Sequence, residues 1–214
     1  MAITNKGILG GVSGKVGNVV GASWKGIDYV RGYAIPSNPQ TTDQQEQRAK
    51  FAWAVMFGKE LLSTICQRYW NHIHPRMSGF NAFVKTNVSL TDPMGGIQEG
   101  NQILTGSLEN GSTLTAGYKL SSGAVTGIIT NHIHSNGLST DRMIVVCAHK
   151  TLSVAVVDDS GQTRGIDGST HAYTLNLPAG LVYDDLIVFV GFSRGTGKTM
   201  LNSPSVSGIC EETP

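Results

Sequence analysis

Met143-Ile144-Val145-Val146-Cys147-Ala148-His149 and Leu186-Ile187-Val188-Phe189-Val190-Gly191-Phe192 read as two in a succession of short strands that fills the chain from about residue 100 onward. The other strands are expected at Gln102 to Leu108, Thr113 to Leu120, Val125 to Thr130, Leu152 to Val157, Thr170 to Leu177 and Met200 to Ile209. Turn signals stand between them at Glu109-Asn110-Gly111, Ser121-Ser122-Gly123, Ser135-Asn136-Gly137, Asp158-Asp159-Ser160-Gly161 and Gly195-Thr196-Gly197. Short strands at this spacing predict an antiparallel β-sandwich of immunoglobulin-like type over 97–214, although the Cys-Trp-Cys core pattern of antibodies is absent.

Upstream, Asp92-Pro93-Met94-Gly95-Gly96 reads as a hinge closing a helical segment over 41–96. Thr42 with Gln45 fits a capping box, and Asp43 puts negative charge in the first turn, where the helix dipole favours it. Phe51, Val55, Leu62, Ile65, Cys66 and Tyr69 then recur at three- and four-residue steps, which predicts one apolar stripe to about Tyr69. Trp53 and Phe57 fall off that stripe, so this helix wants a second partner, either a neighbouring copy or another part of the chain. His74-Pro75 ends it, and Ser78 caps a shorter helix carrying Phe80, Phe83 and Val84 to about Asn87.

Residues 1–40 carry eight of the 27 glycines among short apolar steps that include Val16, Val19, Trp24, Tyr29 and Tyr33, and Pro36-Ser37-Asn38-Pro39 ends the pattern. The segment predicts a β arm with glycine turns at Ser13-Gly14-Lys15, Gly21-Ala22-Ser23 and Lys25-Gly26. Each glycine costs backbone entropy and supplies nothing to pack, so such an arm cannot stand alone. A flexible linker would lack these aromatics. Trp24, Tyr29, Trp53 and Phe57 are the candidate interface anchors, since aromatics dominate interface energetics.

Composition agrees with assembly. Charged residues are 14% and the net charge is +1, against roughly 25% charged in an ordinary soluble domain. Copies of such a chain repel one another weakly. No basic excess points to nucleic acid, which is not expected as a partner. Cys66, Cys147 and Cys210 stand far apart and are expected as free buried thiols. The N-terminus has no apolar run fit for an export signal, and nothing approaches the ~20 apolar residues of a membrane span, so neither export nor membrane insertion is expected.

Chemistry finds little purchase. Asn71-His72-Ile73-His74 and Asn131-His132-Ile133-His134 are a four-residue echo, but no Asp, Glu or Cys adjoins either copy to complete a metal site, so they read as surface histidines and no metal or cofactor is expected. Gly195-Thr196-Gly197-Lys198-Thr199 looks like the end of a phosphate-binding loop, yet Phe192 stands where the earlier glycine must be. It reads as a hairpin turn, with no nucleotide expected. Asp158-Asp159 and Glu211-Glu212 read as solvated pairs, and no nucleophile elbow or acid-base pair of carboxylates is found, so no enzyme is expected.

Gly14-Lys15-Val16-Gly17-Asn18-Val19-Val20-Gly21 followed by Ser23-Trp24-Lys25-Gly26-Ile27-Asp28-Tyr29-Val30-Arg31 resembles the opening of an uncharacterised family of roughly 200-residue proteins encoded by Bacteroidota and their phages. Gln47-Arg48-Ala49-Lys50-Phe51 and Phe80-Asn81-Ala82-Phe83 continue the resemblance, and Asp141 to Val146 and Phe189 to Pro204 fit it more loosely. The resemblance implies no activity and no catalytic residue. Occurrence in phage genomes implies a virion component, with other copies and other virion structural proteins as partners, assembled in the bacterial cytoplasm. The competing expectation is a sandwich that binds a host-surface glycan or protein, with Tyr118 or Tyr173 stacking on sugars.

Overall fold

A computed structural model describes residues 3–4, 12–35, 37–38, 40–74, 76–119, 122–133 and 135–212, with backbone alone at 3, 4, 12 and 117–119. Pro36, Pro39, Pro75, Leu120, Ser121, His134 and the side chain of Tyr118 lie outside the described residues. The chain divides into two compact units, Met1–Thr41 and Thr42–Pro214. The protein is mainly β, with three sheets and a set of helices.

The first unit is an antiparallel sheet in the order β1 (Ile3–Thr4), β2 (Val12–Val16), β3 (Val19–Trp24), β4 (Ile27–Gly32). Lys25 and Gly26 between β3 and β4 have φ of 51° and 83°, the left-handed pair that a tight hairpin needs and that glycine adopts without strain.

In the second unit two sheets share one apolar core. One runs β11 (Leu201–Asn202), β10 (Leu186–Arg194), β7 (Arg142–His149), β8 (Ala155–Asp158), with β12 (Val206–Ile209) also on β10. The other runs β13 (Glu211–Glu212), β5 (Ser112–Lys119), β6 (Ala124–Asn131), β9 (Thr170–Asn176). All pairs are antiparallel except β13 with β5. Side chains alternate along a strand, so β7 and β10 each serve two cores. Met143, Val145 and Cys147 join Val188, Val190 and Phe192 against Val125, Ile129 and Leu175 of the facing sheet. Ile144, Val146, Ile187 and Phe189 point the other way, into the helices. Strands covered on both faces read as unbroken apolar runs, which is why these two stand out in the sequence.

The helical layer consists of α1 (Thr42–Glu60), a π-helical segment Leu62–Trp70 and α2 (Gly79–Asn87). The one long helix expected to Tyr69 is therefore broken at Leu61, whose carbonyl accepts from both Ile65 N and Cys66 N at 2.9 Å, the second a wider turn. Ser78 caps α2, its Oγ accepting from Asn81 N at 3.3 Å. The apolar stripe also differs from expectation in α1: Phe51 and Leu62 are exposed, while Ala54, Phe57, Gly58 and Leu61 are buried. The small residues decide it. At Gly58 an added Cβ would lie 3.0 Å from the Phe80 ring and 3.2 Å from that of Phe83, so the helices meet where no large side chain stands. Trp70 donates from Nε1 to Ile103 O at 2.8 Å and meets Phe83 edge-on, ring centroids 5.2 Å apart. Helices and strands thus share a core, and 42–96 packs as part of the same unit as 97–214.

Two further expectations change. Gln102 to Leu108 is not a strand: Ile103 N and Leu104 N both donate to Ser205 Oγ, and Gln102 N donates to Asn87 Oδ1, so these donors are spent outside any ladder while Ile103 and Leu104 fill the core. Asp92 to Gly96 is a closed turn and not a hinge, with Asp92 N donating to Gly96 O at 2.8 Å and Gly96 N to Asp92 O at 3.1 Å. The three cysteines are buried and free, as expected. Burial pushes the Cys66 thiol up to about 12.

At the end of β7, His149 is 4% exposed and its Nδ1 accepts from Thr151 N and Leu152 N, each at 3.2 Å. Burial holds its pKa below the ordinary 6.5 against the pull of Asp185, and burial does the same to half-buried His72. The unfolded chain therefore takes the proton first. Stability is full above about pH 6.5 and falls as pH drops from there through the depressed folded values. Melting temperature is expected to decline between pH 7 and 5, and His149→Asn, whose Oδ1 can replace Nδ1 as acceptor, to flatten part of that decline in a pH series of thermal melts.

Candidate interaction surface

Among the described residues of the arm sheet, large apolar side chains are exposed on both faces. By register, Lys15, Val20, Ala22, Trp24, Ile27, Tyr29 and Arg31 lie on one side, and Val16, Val19 and Val30 on the other with Gly14, Gly21 and Gly32. Trp24 stands opposite Ile27 at the hairpin end and Tyr29 opposite Ala22. They are wet: Trp24 is 65% exposed, Ile27 68%, Tyr29 43% and Val30 64%. Among the described residues of this unit only Gly21 is buried. An isolated sheet of this kind needs an apolar face packed on something to be stable, and each large side chain covered contributes ~1.5–3 kcal/mol. Cations sit on the aromatics, with Lys15 Nζ 3.6 Å from the Tyr33 ring centroid and Lys25 Nζ 4.9 Å from that of Trp24. Lys15, Lys25 and Arg31 against Asp28 leave the described arm at +2. The surface is apolar and aromatic, as interface centres are, and carries a weak positive charge.

The other two candidate anchors sit elsewhere. Phe57 is 2% exposed, with Phe83 and Phe189 at ring-centroid distances of 5.4 and 5.9 Å, so it is core and cannot meet a neighbour. Trp53 is half-buried and donates from Nε1 to Pro93 O at 3.2 Å within its own unit. The structure thus brings Trp24 and Tyr29 together on one face and assigns the second face of α1 to the chain itself. Tyr173, the possible sugar platform, is buried too, its hydroxyl donating to Thr115 O at 3.3 Å.

The echoed segments do unlike work. Asn71 accepts from Gly79 N through Oδ1 at 2.7 Å, which seats α2 on the π-helical segment, while Asn131 donates to Arg164 O at 2.7 Å inside the strand layers. Among the described residues no three metal-ligating side chains come together. Asp159 corrects the reading of a solvated pair. Its side chain is 9% exposed, accepts from Tyr69 Oη at 2.8 Å, and pairs with Arg68 and Arg142 at 2.5 Å each. Burial and that bond to Asp159 raise the Tyr69 pKa. Gly195 to Thr199 is the connection between antiparallel β10 and β11.

The fold is that of a mainly β protein with three sheets and a set of helices. It belongs to DUF6266, a family of unknown function, which matches residues 11–207. No curated protein matches the chain.

Proposed function

We propose that this chain is a non-enzymatic structural protein that works by assembling with its own copies and with other proteins, as a virion component of the capsid, neck or tail of a phage infecting Bacteroidota. The observation that carries the self-assembly is the arm, a sheet with large apolar side chains exposed on both faces. Neighbouring molecules supply what the arm lacks. Low charge and the resemblance of the opening sequence to phage-encoded proteins support the virion setting.

In this reading Thr42–Pro214 is the packing module, an immunoglobulin-like sandwich with a helical layer added to one face. The strand order supports it. Leaving out the two-residue strands, the first, second and fifth (β5, β6, β9) form one sheet and the third, fourth, sixth and seventh (β7, β8, β10, β12) the other, the immunoglobulin arrangement with the fourth strand carried on the second sheet.

Trp24→Ala is expected to weaken the oligomer by about 2 kcal/mol per contact, roughly thirtyfold, while leaving the melting temperature of the body nearly unchanged. Size-exclusion chromatography with light scattering across a dilution series measures it, and an oligomer of unchanged affinity would count against the arm as the contact. The virion setting is tested separately by mass spectrometry of purified particles, where absence of the chain would refute it.

A further inference from the structure

We propose that the hollow beside the β10–β11 hairpin is an oxyanion site that takes phosphate, free or as the terminal group of a small phosphate ester. It encloses about 370 Å³, and Arg68 of the π-helical segment, Arg142 of β7 and Arg194 of β10 all line it, with Thr140 and Thr196 supplying hydroxyls and Gly195 a wall without a side chain. Three guanidiniums reach one hollow from three separate elements, in a chain with only 14% charged residues.

The carboxylates that could neutralise them stand behind the arginines and do not line the hollow. Asp159 pairs with Arg68 Nη1 and Arg142 Nε, and Asp141 with Arg194 Nε, each at 2.5 Å. Asp141 also faces buried Arg164, which lies near Glu109. Four arginines, Arg68, Arg142, Arg164 and Arg194, against Asp141, Asp159 and Glu109 leave this cluster at +1. Asp141 grips the Nε–Nη2 edge of Arg194, and Asp159 holds Arg142 through its carboxylate at Nε and its backbone carbonyl at Nη2 and Arg68 at Nη1, so part of the ordering cost of a further contact is already met. A wall of three guanidiniums with a net positive charge suits a tetrahedral oxyanion, and the volume falls within the ~300–1,000 Å³ of small-ligand pockets. The Gly-Thr-Gly-Lys-Thr sequence lacks the backbone cradle of a nucleotide loop, and the cations come from elsewhere in the fold.

The test uses the purified full chain, titrated calorimetrically with inorganic phosphate and with ribose 5-phosphate, in chloride buffers of matched ionic strength. Saturable binding is expected, weakened at least tenfold by Arg68→Gln and by Arg142→Gln and unchanged by Arg31→Gln on the arm. Arg68→Lys keeps the charge and loses the fork, and an intermediate loss is expected, so the site remains testable should either glutamine variant fail to fold. Tighter binding of ribose 5-phosphate assigns the site to esters, and equal affinity assigns it to free phosphate. No saturable binding of either ligand, or binding unchanged in the folded arginine variants, would overturn the proposal. Trp24→Ala is expected to leave phosphate binding intact, so this site stands or falls apart from the assembly reading.

Discussion

Gly79→Ala is expected to cost about 3 kcal/mol or more and to be among the most damaging single-methyl additions in the chain. Gly79 is the first residue of α2, directly after its cap, and lies against the end of the π-helical segment. A Cβ built there would stand 2.1 Å from Cys66 O, 2.7 Å from Asn71 Oδ1 and 2.9 Å from Asn71 N. Two of those atoms are backbone, so relief requires the helices to separate, and separation opens the core where Phe83, Trp70 and Cys66 meet. Asn71 would also lose its bond to Gly79 N, made at 2.7 Å. Gly100→Ala is the matched control: nothing lies within 4 Å of its added Cβ, and its effect is expected within ~0.5 kcal/mol. Urea unfolding of the two variants beside the parent measures both. Equal stability of all three would mean that α2 does not seat on the π-helical segment as described.

Asp141→Ala is expected to cost about 3–5 kcal/mol, a fall in melting temperature of roughly 10 °C for a unit of this size. The carboxylate is fully buried, accepts from Leu138 N at 2.8 Å, and binds Arg194 through Nε at 2.5 Å and Nη2 at 2.9 Å. Arg164, also fully buried, stands 3.6 Å away at Nε with its guanidinium 3.9 Å from the Phe192 ring centroid. Burial works against that charge, while Asp141 and Glu109 hold it in place. Removing Asp141 leaves a desolvated cation with its closest carboxylate gone, and this uncompensated charge is the source of the loss. The double variant Asp141→Ala/Arg164→Met is therefore expected to recover more than half of it. Additive losses in the double variant, read by thermal unfolding, would show that the pair is not coupled.

Much of the β architecture was legible along the chain because its signals are local. β7 and β10 announce themselves as apolar runs of strand length, and the turns at Asp158-Asp159-Ser160-Gly161 and Gly195-Thr196-Gly197 fall where β8 and β10 end. The exposure of Trp24 and Tyr29 agrees with the reading of a glycine-rich segment that has little bulk of its own to cover large aromatics. Phe57 was misassigned because Ala54 and Gly58 carry no apolar bulk and drop out of a stripe counted in large residues, although they mark where the helices approach most closely. Gln102 to Leu108 failed for another reason. Its composition suits a strand, but its donors go to Ser205 and Asn87, partners that no local pattern reveals.

The cationic hollow lay beyond sequence altogether. Arg68, Arg142 and Arg194 are scattered charges until the π-helical segment, β7 and β10 bring them to one place, where Asp159 and Asp141 pair with them. By itself the sequence determined the β class, the two central strands, the glycine-rich arm as strands and the free buried thiols, because periodicity, turn chemistry and composition act between near neighbours. Which face of α1 is buried, where the helix widens, and which distant charges meet were decided by tertiary structure alone, because close approach and ion pairing depend on distances across the fold rather than along the chain.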